Sequence, residues 1–331
     1  MTVQITIIGL GQVGTSVGLA LAAHTDQVTR LGHDIQPGVA QKAHKMGAID
    51  KLHYNLPAAV AEANIIFLAL PLDQIRATLK IIAQDVKADA VILDTSPAKV
   101  AVAAWVKELL PEKRHYLGLT PAFNPLYIHE QTQGIEAARA DLFKKGLMAI
   151  AAPPGTPGVA IKLAADLTTL LGATPFFVDL AEADGMMASA HILPQLSAAA
   201  LINTIIGQPG WPDIRKVTGR PFASATDQSI FQDGSAALRE AALHNRENIL
   251  RVLDDLISNL TGLRADIAQK KSDALKSYLE GAVEEQSKWW KERSAGDWRA
   301  IEYRGTELPK SGNLLKQLIM GVRPEKKKKS Q

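Results

Sequence analysis

The chain has 331 residues, 47% of them hydrophobic and 21% charged, with a net charge of +3; this balance excludes a disordered or fibrous protein and suits two globular domains. It contains no cysteine, which excludes disulfides, thiolate metal sites and cysteine nucleophiles and fits a reducing, cytoplasmic setting. Twelve Lys or Arg against five Asp or Glu from Lys288 to Gln331 give that segment +7 and leave −4 for the 287 residues before it.

Val3 to Leu21 reads VQITIIGLGQVGTSVGLAL: a β-branched strand, then Gly9-Leu10-Gly11-Gln12-Val13-Gly14, then an alanine- and leucine-rich helix. In such a unit the first glycine makes a tight turn, the second lets backbone approach a pyrophosphate, and the third lets helix pack closely on strand. The pyrophosphate sits on the helix N-terminus, where unpaired N–H groups and the helix dipole favour an anion. A second apolar run from Val28 ends at Asp34, twenty residues after Gly14, where a carboxylate accepts hydrogen bonds from ribose hydroxyls. Ile35 and Gln36 follow with no arginine for a 2′-phosphate, so NAD is expected ahead of NADP. Gly9, Gly11, Gln12, Val13, Gly14 and Asp34 are the expected cofactor contacts.

A helix through Met46, the phrase Gly47-Ala48-Ile49-Asp50 and a short helix around Pro57 to Ala63 lead to NIIFLALP at 64–71. That apolar run, closed by proline, is the length of a strand buried on both faces of a parallel sheet. Helix Leu72 to Asp85, strand Ala90 to Asp94, helix Val100 to Leu110 and strand Tyr116 to Leu119 follow. Gly146 to Ala152 and Pro175 to Val178 are two further strands, joined by a helix from Val159 to Leu171. The alternation predicts right-handed crossovers and an α/β fold with a doubly wound, Rossmann-type parallel sheet. Such sheets bind ligands outside the carboxyl ends of their strands. That singles out Leu70-Pro71, Asp94 to Lys99 and Gly118 to Pro125, and adds Leu70, Pro71 and Ser96 to the cofactor contacts.

From Leu180 no strand-like run remains. Met186 to Ile206 is nearly all apolar and is expected as a core helix, kinked or begun by Pro194. Ile249, Val252, Leu253, Leu256, Ile257, Leu260 and Leu263 recur at helical spacing, and such faces predict an all-helical dimerisation domain and a homodimer. The expected divisions are 1–180, 181–287 and a basic extension, 288–331. Trp289 and Trp290 are expected to pack on the helical domain. Beyond them the chain reads as irregular, with Trp298, Tyr303 and a short helix at Leu314 to Met320. Lys326 to Lys329 read as a solvated end, so no nucleic-acid partner is expected. No apolar run approaches the roughly eighteen residues that span a bilayer, and no cleavable leader is recognised.

Several phrases, in order, resemble the prephenate and arogenate dehydrogenase family. They are IIGLGQVGTSVGLAL at 7–21, GHD at 32–34, MGAID at 46–50, FLALPLDQI at 67–75, ILD with Lys99 five residues later, LPQLSAAAL at 193–201 and NRENILRVLDDL at 245–256. The resemblance covers roughly residues 3 to 287. It implies a dinucleotide domain, a helical dimerisation domain with the active site between them, and NAD(P)-dependent oxidative decarboxylation that makes a tyrosine precursor.

Four positions depart from the family's pattern. Pro97 stands where the family has a serine beside the nicotinamide, with Ser96 one position early. Thr120, in Gly118-Leu119-Thr120-Pro121, stands in place of the catalytic histidine; threonine has no pKa near neutrality and cannot alone serve as a general base. Gln195 takes the place of one histidine of an S-H-L-P-H phrase, and His191 lies one residue back from the other. Asp227 stands in place of an arginine that binds a substrate carboxylate, with Arg220 the nearest substitute.

Thr120, His191, Lys99 and Asn124 are therefore the expected catalytic groups, and Arg220 and Gln195 the expected substrate contacts. Asn124 fits an Asn-Pro turn equally well, His191 a hydrogen-bonded core histidine, and Asp94 a cap on the following helix. No metal is expected, because the eight histidines show no ligand spacing. The function implied is an NAD(P)-dependent oxidoreductase of the prephenate dehydrogenase type acting on a small carboxylated substrate. A dehydrogenase for another hydroxy acid or imine, and a dinucleotide-binding sensor without turnover, stay open.

Overall fold

Short runs rich in Val, Ile and Leu pair into one sheet in the computed structural model, which describes residues 2–227, 231 and 233–296. The strands are β1 (Val3–Ile8), β2 (Val28–His33), β3 (Lys51–Leu52), β4 (Ile65–Leu68), β5 (Val91–Asp94), β6 (His115–Pro121), β7 (Leu147–Ala151) and β8 (Thr174–Val178). Their order is β3-β2-β1-β4-β5-β6-β7-β8. Strands β1 to β6 are parallel, as the alternation with helices predicts, whereas β7 runs antiparallel to β6 and parallel to β8. The reversal follows from the connection. Between β6 and β7 lie two short 3-10 turns, Pro125–Tyr127 and Gly134–Ala137, and no α-helix to carry a crossover.

Helices α1 (Gln12–Ala20), α2 (Pro37–Lys45), α3 (Leu56–Val60), α4 (Leu72–Ile82), α5 (Lys99–Leu109) and α6 (Gly158–Leu170) cover the two faces. All four residues of β4 are buried, and they alternate between two cores because successive side chains on a strand point to opposite faces. Ile65 and Phe67 join Ile5, Ile7, Leu93 and Leu163 on one face. Ile66 and Leu68 join Ile92, Ile75, Leu79 and Val102 on the other, and this second core runs on into Ala188, Ile192, Ala241 and Ile249.

Those last residues belong to the helical part. It comprises α7 (Leu180–Met187), a π turn (Ala188–Ile192), α8 (Leu193–Ile206), α9 (Trp211–Val217), α10 (Arg220–Ala225), α11 (Gly234–His244), α12 (Arg246–Ala268) and α13 (Ser272–Ala295). Pro194 sits in the first turn of α8, where its missing N–H is harmless. The apolar run is not the core helix that composition suggests: in α8 only Gln195 and Ala198 are buried. By length and composition the continuous run Leu180–Ile206 is one helix that could cross a membrane, contrary to expectation, with 22% of its apolar window buried. Its first turns nevertheless pack on the sheet domain, since Asp184 is buried against α5. α13 continues through 287, so the boundary expected there falls inside a helix, and helical structure persists to Ala295. Trp298, Tyr303, 314–320 and the lysine run 326–329 lie outside the described residues.

Candidate active site

The chain leaves β1 through Gly9, at φ +89°, where a Cβ would stand 2.3 Å from the Ala69 carbonyl oxygen. At Gly14 a Cβ would stand 1.9 Å from the Gly9 carbonyl oxygen. Both positions therefore exclude any side chain. Gly11 differs, because nothing lies within 4 Å of a Cβ there. It is the N-cap of α1, whose first turn carries neither a side-chain cap nor an acidic residue. The backbone N–H groups of that turn are thus presented to an open face, as anion binding requires. Asp34 accepts from the Leu10 N–H at 2.8 Å and from the Gln36 N–H at 2.8 Å, fixing the glycine loop to the end of β2. Gln12 donates to the Ala137 carbonyl at 3.3 Å, tying the loop to the β6–β7 connection. Val13, Leu70 and Pro71 stand half-buried along the same edge. An open glycine at an uncapped helix start, with a carboxylate at the end of β2, fits a dinucleotide.

Next along the edge, a charged network is closed off from solvent. The Lys99 side chain is fully buried, and its ammonium donates to the carbonyls of Asp94 and Leu119, each at 2.8 Å, and lies 3.4 Å from Asp94 Oδ2. Its stem crosses β6 at Gly118, where a Cβ would come within 2.5 Å of Lys99 Cδ. Burial pulls the Lys99 pKa down, and Asp94 opposes this. Asp94 also accepts from the Ser96 hydroxyl at 3.0 Å and the Tyr116 hydroxyl at 3.1 Å. Burial and then Asp94 push the Tyr116 pKa well up, so it stays protonated as a donor. Lys99 and Ser96 are corrected accordingly: both face inward, and neither offers a polar group to a ligand. Asp94 does not cap α5. Asp184 does so, accepting from the backbone N–H of Lys99 at 2.5 Å and of Val100 at 3.1 Å.

Asn124 is also turned inward. Its amide oxygen accepts from Leu126 N–H at 3.2 Å and its amide nitrogen donates to the Asp141 carbonyl at 3.1 Å, which is the Asn-Pro turn rather than a substrate contact. Thr120, half-buried near the end of β6, makes no side-chain hydrogen bond among the described residues. His115 lies at the opposite end of β6. Arg220 is exposed as the first residue of α10 and makes no ion pair among the described residues. Asp227 accepts from Gln131 at 3.3 Å.

The structure does bring together Pro97, His191 and Gln195. With Asp233, Ala237 and Leu238 they line a cavity of about 10 Å³ between the end of β5 and the helical part, room for a water-sized group. His191 is 40% exposed beside it, with Nε2 3.8 Å from Asp233 Oδ2. Gln195 is buried and donates to the His191 carbonyl at 2.9 Å. His191 sits in the π turn, whose extra residue resets the register ahead of α8, and such turns recur at functional sites.

Residues 17–175 match the family model described as prephenate dehydrogenase, nucleotide-binding domain, and residues 179–281 match prephenate dehydrogenase, dimerization domain. The chain belongs to the prephenate dehydrogenase family. It is 25% identical over 282 residues to prephenate dehydrogenase of Bacillus subtilis, covering 84% of this chain and 74% of that protein. It is 28% identical over 274 residues to cyclohexadienyl dehydrogenase of Zymomonas mobilis, covering 82% and 91%. Among solved structures, prephenate dehydrogenase of Aquifex aeolicus in complex with hydroxyphenyl propionate and NAD+ superposes with a TM-score of 0.75 at 21% identity, covering 87% of this chain and 98% of that one. The chain is thus a dehydrogenase by family, and its first domain is the family's nucleotide-binding domain.

Within this family frame the sequence reading missed Tyr116, Asp184 and Asp233. Asp184 carried a usable signal, since an ionisable side chain inside an apolar helical run is rarely buried without a partner. Burial raises its carboxyl above the usual range, and the two α5 N–H groups pull it back.

Proposed function

We propose that the chain is an NAD-dependent oxidoreductase that takes a hydride from a small carboxylated substrate, with His191 as the proton-handling group. The observation that carries this reading is the meeting of His191, Asp233 and Pro97 at the carboxyl edge of the sheet that holds the glycine loop. NAD, when bound, supplies the hydride acceptor. The glycine loop and Asp34 bind its pyrophosphate and ribose. Thr120 offers a hydroxyl to a substrate oxygen, and His191, facing Asp233, removes the proton from it. The relatives' names point to prephenate and cyclohexadienyl substrates as the class. Pro97, Thr120, Gln195 and Asp227, which differ from the family's pattern, favour a small carboxylated substrate outside that class, a hydroxy acid or an imine.

Absorbance of the reduced cofactor tests this. Hydroxy acids are expected to reduce NAD, or cyclic imines to oxidise NADH, at an enzymatic rate on the order of 1 to 10³ per second. NADH formed from prephenate or arogenate at that rate would return the substrate to the family's own, and cofactor binding without any turnover would leave a sensor.

We infer a cytoplasmic homodimer, which the biosynthetic family and the description of its second domain favour. Ile257, Leu260 and Ile267 on α12 and Leu279 and Val283 on α13 are exposed in the single chain, the kind of apolar side chain that a subunit interface covers. The double change Ile257→Asp with Leu260→Asp is expected to give a monomer in sedimentation velocity; a dimer that survives it would put the interface elsewhere.

A further inference from the structure

The last turn of α13 lies beyond the part of the chain that the family models match, which ends at residue 281. Three residues there, Trp290, Arg293 and Gly296, are spaced three apart and so share one face of the helix. The Trp290 ring meets His129 with centroids 4.9 Å apart, so the tryptophan reaches the sheet domain. Arg293, 8% exposed, donates through Nη2 to the Phe123 carbonyl. Gly296 ends the helix at φ +62°, and a Cβ there would stand 2.9 Å from Lys145 Cβ and 3.0 Å from its carbonyl oxygen. Arg293 is the one buried residue of α13.

These contacts converge on one segment. Phe123 follows Thr120 by three residues, His129 lies six further on, and Lys145 precedes β7 by two. A single helical turn therefore touches both ends of the long connection between β6 and β7. A helix end kept for packing alone needs no buried cation, since taking a guanidinium out of water is unfavourable unless its hydrogen bonds are made. Charge-assisted bonds of this kind hold geometry more firmly than neutral ones.

We propose that the end of α13 clamps the 122–131 loop, and that Arg293 is a positioning residue that fixes Phe123 and, through it, the end of β6 bearing Thr120. The proposal rests on the reading of the β6 edge as the substrate side of the site.

The test uses full-length chains with Arg293→Met, Arg293→Lys and Trp290→Ala, followed by hydrogen exchange of amides 122–131, calorimetric NAD titration and steady-state turnover of the substrate found above. With Arg293→Met, loop exchange is expected to quicken about tenfold. The kcat is expected to fall about tenfold or more, while the Kd for NAD stays unchanged, and Arg293→Lys is expected to restore part of both losses. Trp290→Ala, which leaves the guanidinium in place, is expected to quicken exchange in the same amides and keeps the test decisive if the Met variant does not fold. Loop exchange equal to wild type in both would overturn the clamp. Absence of NAD binding or of turnover in the unaltered chain would instead sink the functional reading, with the exchange result still deciding the clamp.

Discussion

Gly14→Ala lowers affinity for NAD about a hundredfold and destabilises the chain, whereas Gly11→Ala lowers affinity about tenfold or more and costs only the small stability difference between Gly and Ala at a helix N-cap. The two outcomes follow from what each new methyl group meets. At position 14 it would lie 1.9 Å from the Gly9 carbonyl oxygen and 3.1 Å from Ile7 Cγ2, so α1 must move off β1. Overpacking of this kind is worth about 1–3 kcal/mol, and each 1.4 kcal/mol transmitted to binding is about tenfold in Kd. At position 11 it would meet nothing of the chain, so a loss of affinity there reports only on the space the pyrophosphate occupies. Calorimetry and thermal denaturation separate the two. Wild-type affinity in Gly11→Ala would mean that the pyrophosphate does not lie against this glycine.

Lys99→Met is expected to cost about 3–5 kcal/mol, the range for breaking one side of a buried ion pair. The ammonium joins two strand-end carbonyls and a carboxylate with no solvent access. Its removal leaves the Asp94 charge with the Ser96 and Tyr116 donors alone and orphans the Leu119 carbonyl. Asp184→Asn is expected to cost less, because burial already disfavours the Asp184 charge and the amide oxygen still accepts from one α5 N–H, although the second N–H loses its acceptor. A folded pKa above the usual 3.8 means that this carboxyl favours folding when protonated, and that the advantage fades as pH rises through the folded value. Denaturant midpoints at neutral pH compare the two variants. A Lys99→Met midpoint equal to that of Asp184→Asn would show that the network is not sealed as described.

The parts legible in the sequence were those where one residue type has one physical reason to be there. Gly9 and Gly14 are fixed by contacts that no side chain survives, Asp34 by its distance from them, and β4 by an apolar run that suits burial on both faces. Direction and orientation were not legible. The reversal of β7 depends on what connects it to β6, and hydrophobic pattern is blind to that. Lys99, Ser96 and Asn124 were rightly placed near the sheet edge, yet spacing does not say which way a side chain turns, and all three turn inward. The apolar run that forms α8 read as core because apolar composition does not distinguish a face buried in its own chain from one presented elsewhere. Trp290 and Arg293 carried no pattern at all, since their partners lie more than 150 positions earlier in the chain.

The central claim is that proton handling has moved from the end of β6, where Thr120 stands, to His191 in the π turn. The direct measurement is the rate of NADH formation by His191→Asn and Thr120→Val against the unaltered chain, with NAD affinity measured alongside. His191→Asn is expected to lower kcat by about 10²–10⁴-fold, the usual worth of a general base, with NAD binding intact, and Thr120→Val by about tenfold at most, the worth of one neutral hydrogen bond. A His191→Asn enzyme as fast as the unaltered chain, or a Thr120→Val enzyme that is inactive, would contradict it.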